Sequence, residues 1–142
     1  MTSVQVLDAD RLRQMMTAAE SDFSDAAVAR RRGSLLVVDC RPFTSYNASH
    51  VDGAVNAHCP AIVRRRAGGL IPAVNVVRSS EALADLTSGR CRAVVVYDEW
   101  SESVDQLDAE SNAQLSLNSL GTVLPPSTAL YLLKGTINLT QV

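Results

Sequence analysis

The spacing most suggestive of chemistry in this sequence is His58-Cys59-Pro60-Ala61-Ile62-Val63-Arg64-Arg65, where a histidine and a cysteine stand ahead of an arginine six positions beyond the thiol. This is the minimal spacing of a cysteine-dependent phosphatase loop. In such a loop a low-pKa thiolate attacks phosphorus while backbone N–H groups and an arginine fork hold the phosphate. The intervening residues oppose that chemistry. Pro60 removes an N–H beside the thiol, and no glycine lies between Cys59 and Arg65 to let the backbone close around an anion. Ile62 and Val63 are stiff β-branched residues, and Arg66 stands where a hydroxyl would follow the arginine. A phosphatase using Cys59 and Arg65 is therefore the alternative reading of this stretch.

By charge and shape the same residues suggest recognition. Ile62 and Val63 are two bulky apolar side chains directly before Arg64, Arg65 and Arg66, and Gly68-Gly69 close the segment. Arginine forks pair bidentately with carboxylates and are never deprotonated in water. On a turn or short helix the three arginines diverge by about 100° each, so two can face a partner while one bonds locally. The pattern fits docking against an acidic surface, and it also fits a solvated basic turn. Asp39 and Arg41 flank Cys40 at the end of an apolar run, a place where an α/β site would lie but also where such residues cap and turn the chain. His50, His58, Cys40 and Cys59 match no zinc-ligand spacing, so neither a metal nor a cofactor is expected. The three cysteines, Cys40, Cys59 and Cys91, form an odd set without a CxxC, and Cys40 and Cys91 fall at strand ends where buried, inert thiols are common. Trp100, among Glu99, Glu102 and Asp105, reads equally as an exposed contact residue or a lid on the core.

The scaffold for these residues is one domain. A chain of 142 residues, 46% hydrophobic and 20% charged, is long enough for a real core and too apolar for a disordered polyampholyte. Runs such as Ala93 to Tyr97 are far shorter than the roughly 20 residues a membrane-spanning helix needs. The first residues carry neither a basic nor a long apolar signal region, so a reducing intracellular setting, nuclear or cytoplasmic, is expected. The formal charge of −2 argues against nucleic acid as a partner. Charge is instead concentrated locally, in Arg30-Arg31-Arg32, in Arg64-Arg65-Arg66, and in six acids without a base between Asp98 and Glu110.

Leu35 to Val38, Ala93 to Tyr97 and Ala129 to Leu133 are short continuous apolar runs, which is how strands buried on both faces read. Gly53 to Ala57 is a weaker candidate, and Val4 to Val6 a possible edge strand. Helical spacing marks Asp10 to Ala19, Glu81 to Leu86 and Asn112 to Leu120. Residues 20–34 read as a polar loop. Strands alternating with short helices predict an α/β domain around a central, mostly parallel sheet.

Taken in order, Asp39-Cys40-Arg41-Pro42-Phe43, Tyr46-Asn47, Ser49-His50-Val51, Gly53-Ala54-Val55-Asn56, Ile62 to Ala67 with Gly69, Val94 to Glu99 and Leu132 to Gly135 resemble the N-terminal rhodanese-like domain of the MAP kinase phosphatases, a branch of the dual-specificity phosphatases. The resemblance covers roughly residues 4–135. It implies a rhodanese-like fold with five strands, and it makes Ile62, Val63, Arg64, Arg65 and Arg66 a kinase-interaction motif for the acidic docking groove of a MAP kinase. It also puts Asp98 where a sulfurtransferase carries its reactive cysteine, and a carboxylate cannot carry sulfur. Where the family continues from Leu-Lys-Gly to a second glycine, an aromatic residue and a closing helix, Gly135 is followed here by Thr136 to Val142. A rhodanese-like domain over residues 1–135 and a divergent tail over 136–142 are therefore expected, with the phosphatase domain outside this chain. The resulting expectation is a non-catalytic regulatory domain that presents a MAP kinase for dephosphorylation. A rhodanese-like scaffold for another acidic partner is the remaining alternative.

Overall fold

The computed structural model describes residues 3–20, 35–57, 71–78, 80–99, 101, 103–108 and 111–135. Five strands form one sheet: β1 (Val4–Leu7), β2 (Leu35–Asp39), β3 (Val55–Asn56), β4 (Ala93–Tyr97) and β5 (Ala129–Leu133). Their order across the sheet is β1-β5-β4-β2-β3, and every neighbouring pair is parallel. The expected α/β architecture and all five strands are present, and β4 lies at the centre. The sheet is fully parallel, because each connection between neighbours crosses over through helical or loop segments rather than a hairpin.

The continuous apolar runs are explained by two cores, one on each face of the sheet. Val38, Val94, Val96, Leu130 and Leu132 point to one face, where they meet Leu86, Leu115, Leu117 and Leu120. Val37, Val95, Tyr97 and Leu133 point to the other, where Leu7, Leu12 and Val51 cover them. Leu12 belongs to helix α1 (Ala9–Glu20), which starts where the Asp8 carboxylate accepts the Arg11 N–H at 2.8 Å. Helix α4 (Ser80–Thr87) contributes Leu86, and α5 (Asn112–Val123) contributes Leu115, Leu117 and Leu120. The Ser111 hydroxyl caps α5 by accepting from the Gln114 N–H at 3.1 Å.

Two helices were not individually expected: α2 (Phe43–Ala48) and α3 (Ala73–Val76). Both follow a proline, Pro42 and Pro72, whose fixed φ suits a helix start. Helix α5 runs three residues past Leu120, because Gly121 is buried and packing there outweighs its poor helix propensity. Gly53 turns the chain into β3 with φ of 79°, while the Ala54 N–H bonds the Val51 carbonyl at 2.9 Å. Nothing crowds a Cβ at Gly53, so the requirement for glycine there is conformational.

Candidate functional site

In an open parallel sheet the favoured site lies at the carboxyl ends of the strands, where connections leave in opposite directions. Here β2 connects outward to β3 on one side and β4 to β5 on the other, so the switch point lies between β2 and β4. Four strands deliver residues to that edge: Asp39 at the end of β2 with Cys40 and Arg41 after it, Asn56 at the end of β3 with Ala57 after it, Asp98 and Glu99 after β4, and Lys134 after β5.

Asp39, fully buried, is the hub of this edge. Its carboxylate accepts the Arg41 backbone N–H at 2.8 Å and is gripped by the Arg41 guanidinium through Nε at 3.1 Å and Nη2 at 2.8 Å. It also accepts the Tyr97 hydroxyl at 2.6 Å. The register that pairs Asp39 with Tyr97 on neighbouring strands brings these two groups together. Tyr97 accepts the Val51 N–H at 3.2 Å, and Arg41 lies 5.5 Å from the Tyr97 ring centre while Nη2 donates to the Ser49 carbonyl at 2.6 Å. Burial and the bond to the Asp39 carboxylate push the Tyr97 hydroxyl up, so it acts as a donor throughout the physiological range. Its bond to Asp39 likewise pushes the Arg41 guanidinium up. Every member of this network has partners, so Asp39 and Arg41 brace the edge.

After β4 the chain forms a second closed unit. The Asp98 carboxylate accepts the Ser101 backbone N–H at 2.9 Å and the Ser101 hydroxyl at 2.5 Å, and the Ser101 carbonyl accepts the Gly135 N–H at 2.9 Å. A depression of about 240 Å³ opens beside it, lined by Asp98, Glu99, Ser101, Gln106, Leu107, Asp108 and Ser111. Three of these are carboxylates, which disfavour an anionic phosphate or persulfide there. Both described thiols, Cys40 and Cys91, are buried. Burial pushes the Cys40 thiol up to about 12 and the Cys91 thiol up to about 11. Cys40 lies within 3.4 Å of the Ser116 hydroxyl. His50 stacks on Tyr46 with ring centres 3.9 Å apart, and its Nδ1 lies 2.8 Å from the Tyr46 carbonyl. Among the described residues no group of three or more His, Cys, Asp or Glu side chains could hold a metal ion.

His58, Cys59, Ile62, Val63, Arg64, Arg65, Arg66 and Trp100 lie outside the described residues. What is described are the two ends of the segment that carries the first seven. At one end Ala57 is buried and its N–H bonds the Asp39 carbonyl at 2.8 Å. At the other Ile71 is buried and its carbonyl accepts the Ser119 hydroxyl. The roles of Tyr97, Asn56 and Ser119 were not expected from the sequence. The available signal was the run Gly53 to Asn56 after a strand end bearing Asp39 and Arg41, since polar residues closing buried strands need partners.

The rhodanese-like domain family model matches residues 9–137. The chain is 34% identical over 144 aligned positions to dual specificity protein phosphatase 4 of Rattus norvegicus, an alignment covering 95% of this chain and 36% of the relative. It is 38% identical over 104 positions to the Homo sapiens protein of the same name, covering 72% and 26%. Dual specificity protein phosphatase 1 of Homo sapiens is 35% identical over 95 positions, covering 67% and 26%. The chain thus spans about a quarter to a third of the length of these curated relatives. Among the described residues no helix is long and apolar enough to cross a membrane.

Proposed function

This chain belongs to the rhodanese-like domain family, and we propose that it works by binding: a regulatory domain that docks a MAP kinase through Ile62, Val63, Arg64, Arg65 and Arg66. The observation that supports this most is the run of two apolar side chains and three arginines in a chain whose similarity runs to dual specificity protein phosphatases. The arginines pair with carboxylates of the kinase's acidic docking groove, and Ile62 or Val63 anchors beside them. In a longer protein the domain raises the local concentration of the kinase at a phosphatase domain, which needs no chemistry of its own. The setting is intracellular, nuclear or cytoplasmic. A pull-down against a panel of purified MAP kinases, with Arg64, Arg65 and Arg66 intact or neutralised, tests this reading. Capture that depends on the charges supports it, and equal capture by both forms removes it.

Catalysis by this chain is not part of the proposal. Asp98 at the exit of β4 bonds to Ser101 instead of offering a thiol, and Pro60 removes an amide beside Cys59. The isolated chain is expected to hydrolyse no aryl phosphate and to transfer no sulfur from thiosulfate. Turnover of an aryl phosphate that vanishes in Cys59→Ser would instead establish the phosphatase reading with Cys59 and Arg65.

The acidic stretch from Asp98 to Glu110 lies outside the proposed interface, because six like charges would be repelled by an acidic groove. Asp105→Asn with Asp108→Asn is expected to leave kinase affinity unchanged or to raise it, as read by titration calorimetry. Lost binding in a variant that still melts cooperatively would place this stretch in the interface.

A further inference from the structure

The sheet ends differently on its two sides. On one side lies β3, whose two residues offer a further strand almost nothing to pair with. On the other lies β1, four residues long, Val4-Gln5-Val6-Leu7. It holds no charged residue and no proline, the residues that commonly blunt an edge. Among the described residues no strand pairs with its outer side. Val6 is 45% exposed there, one of three large apolar side chains left open among the described residues.

The register with β5 decides which backbone groups are open. The Lys134 N–H donates to the Leu7 carbonyl at 2.8 Å, so the backbone of Leu7 faces β5. Alternate residues of a strand turn their backbone groups to opposite sides, so Gln5 faces β5 as well, and the N–H and C=O of Val4 and Val6 point outward. The side chains of Val4 and Val6 stand beside Leu130 and Leu132 of β5 on one face of the sheet. Helix α1 turns away from this edge, since its Leu12 lies in one cluster with Val37 of β2 and Val95 of β4.

We propose that the outer edge of β1 is a self-association surface, on which two copies of this chain pair antiparallel through Val4, Gln5 and Val6 into one continuous sheet. About a two-fold axis at Gln5, Val4 of each copy faces Val6 of the other, and each pair exchanges both of its N–H···O=C bonds. The exposed Val6 is then covered by a β-branched neighbour, which extends the apolar row from Leu132 into the second copy. The two Gln5 amides meet at the axis, where each can donate and accept. A second copy is the partner this edge fits, because valine meets valine, amide meets amide, and no charge on β1 meets its own image. The surface is independent of the docking reading, since the arginine-bearing segment follows β3 at the opposite side of the sheet.

Analytical ultracentrifugation of the whole chain over a range of concentrations tests this, with no kinase present. So short a ribbon makes a weak dimer, expected to be half formed at roughly 100 μM. Val6→Lys places at the edge the residue that natural edges use against pairing, and is expected to weaken the dimer at least roughly ten-fold. Val74→Lys, at an exposed position away from β1, is expected to leave it unchanged. The register is read by Gln5→Cys under mild oxidation. Residues facing each other without hydrogen bonds lie about 4.5 Å apart between Cα atoms, within disulfide reach, so this variant should form a covalent dimer where the parent does not. A parent chain that stays monomeric to about 1 mM overturns the proposal, whether another segment covers the edge or nothing does. A dimer that folded Val6→Lys leaves intact, or in which Gln5→Cys does not cross-link, also overturns it. Circular dichroism melts show that each variant is folded, and Gln5→Cys carries the test alone if Val6→Lys is not.

Discussion

Replacing Arg65 and Arg66 together with alanine is expected to weaken kinase binding by two to four orders of magnitude. Hydrogen bonds to charged groups are typically worth about 1.5–3 kcal/mol each, and about 1.4 kcal/mol is a factor of ten in affinity. Two well-paired arginines therefore account for a loss of that size, while apolar contacts of Ile62 or Val63 would hold whatever binding is left. The same pairing makes affinity fall as salt rises, since partly exposed charges are screened within roughly 8–10 Å at physiological ionic strength. The variant should lose most of that salt dependence along with its affinity. Titration at two salt concentrations, with circular dichroism to show an intact fold, reads both effects. A folded double variant that binds like the parent would contradict the assignment of these arginines.

The second large effect concerns folding. Asp39→Ala is expected to destabilise the domain by about 3–5 kcal/mol, because removing one partner of a buried ion pair leaves the other charge uncompensated. Here Asp39 is fully buried and the Arg41 side chain only 12% exposed. The substitution also strips a hydrogen-bond acceptor from Tyr97. For a chain of this size the loss corresponds to a fall in melting temperature of roughly 10–20 °C. Adding Arg41→Met should restore part of it, since no cation then lacks a partner. A melting temperature within a degree or two of the parent in Asp39→Ala would show that the network contributes little net stability.

The sheet was legible in the sequence for a physical reason. Strands covered on both faces must be apolar at every position, so Leu35 to Val38, Ala93 to Tyr97 and Ala129 to Leu133 stand out without an alternating pattern. Helix α1 and helix α5 were legible because each is twelve residues long and presents several apolar side chains to one core. Helices α2 and α3 span six and four residues, less than two turns, which is too short for a period of 3.6 to repeat. Helix α2 also fully buries no residue, and of its side chains Tyr46 packs only partly against the core.

The edge of the sheet was only partly legible. Asp39 and Arg41 were visible as a pair flanking Cys40, and a turn-forming role was expected of them. Their bond to Tyr97 depends on strand register, which a single sequence does not reveal when both faces are apolar, because alternation is what usually pins it. Asn56 and Ser119 act across 15 to 17 and 48 positions respectively. Contacts that distant carry no local signature. Asp98, in contrast, was singled out by the resemblance, which puts it at the sulfur-carrier position, and its role as a turn-closing acceptor follows from its short spacing to Ser101.

The most direct measurement of the central claim is a charge exchange between the two partners. Arg65→Glu with Arg66→Glu is made in this chain, and the facing carboxylates of the kinase docking groove are changed to arginine. All four pairings are then titrated at one salt concentration. The docking account requires tight binding for the two unaltered proteins, a large loss for either mixed pairing, and substantial recovery when both altered proteins are combined. Binding of the folded Glu variant to the unaltered kinase at the parent affinity would contradict it.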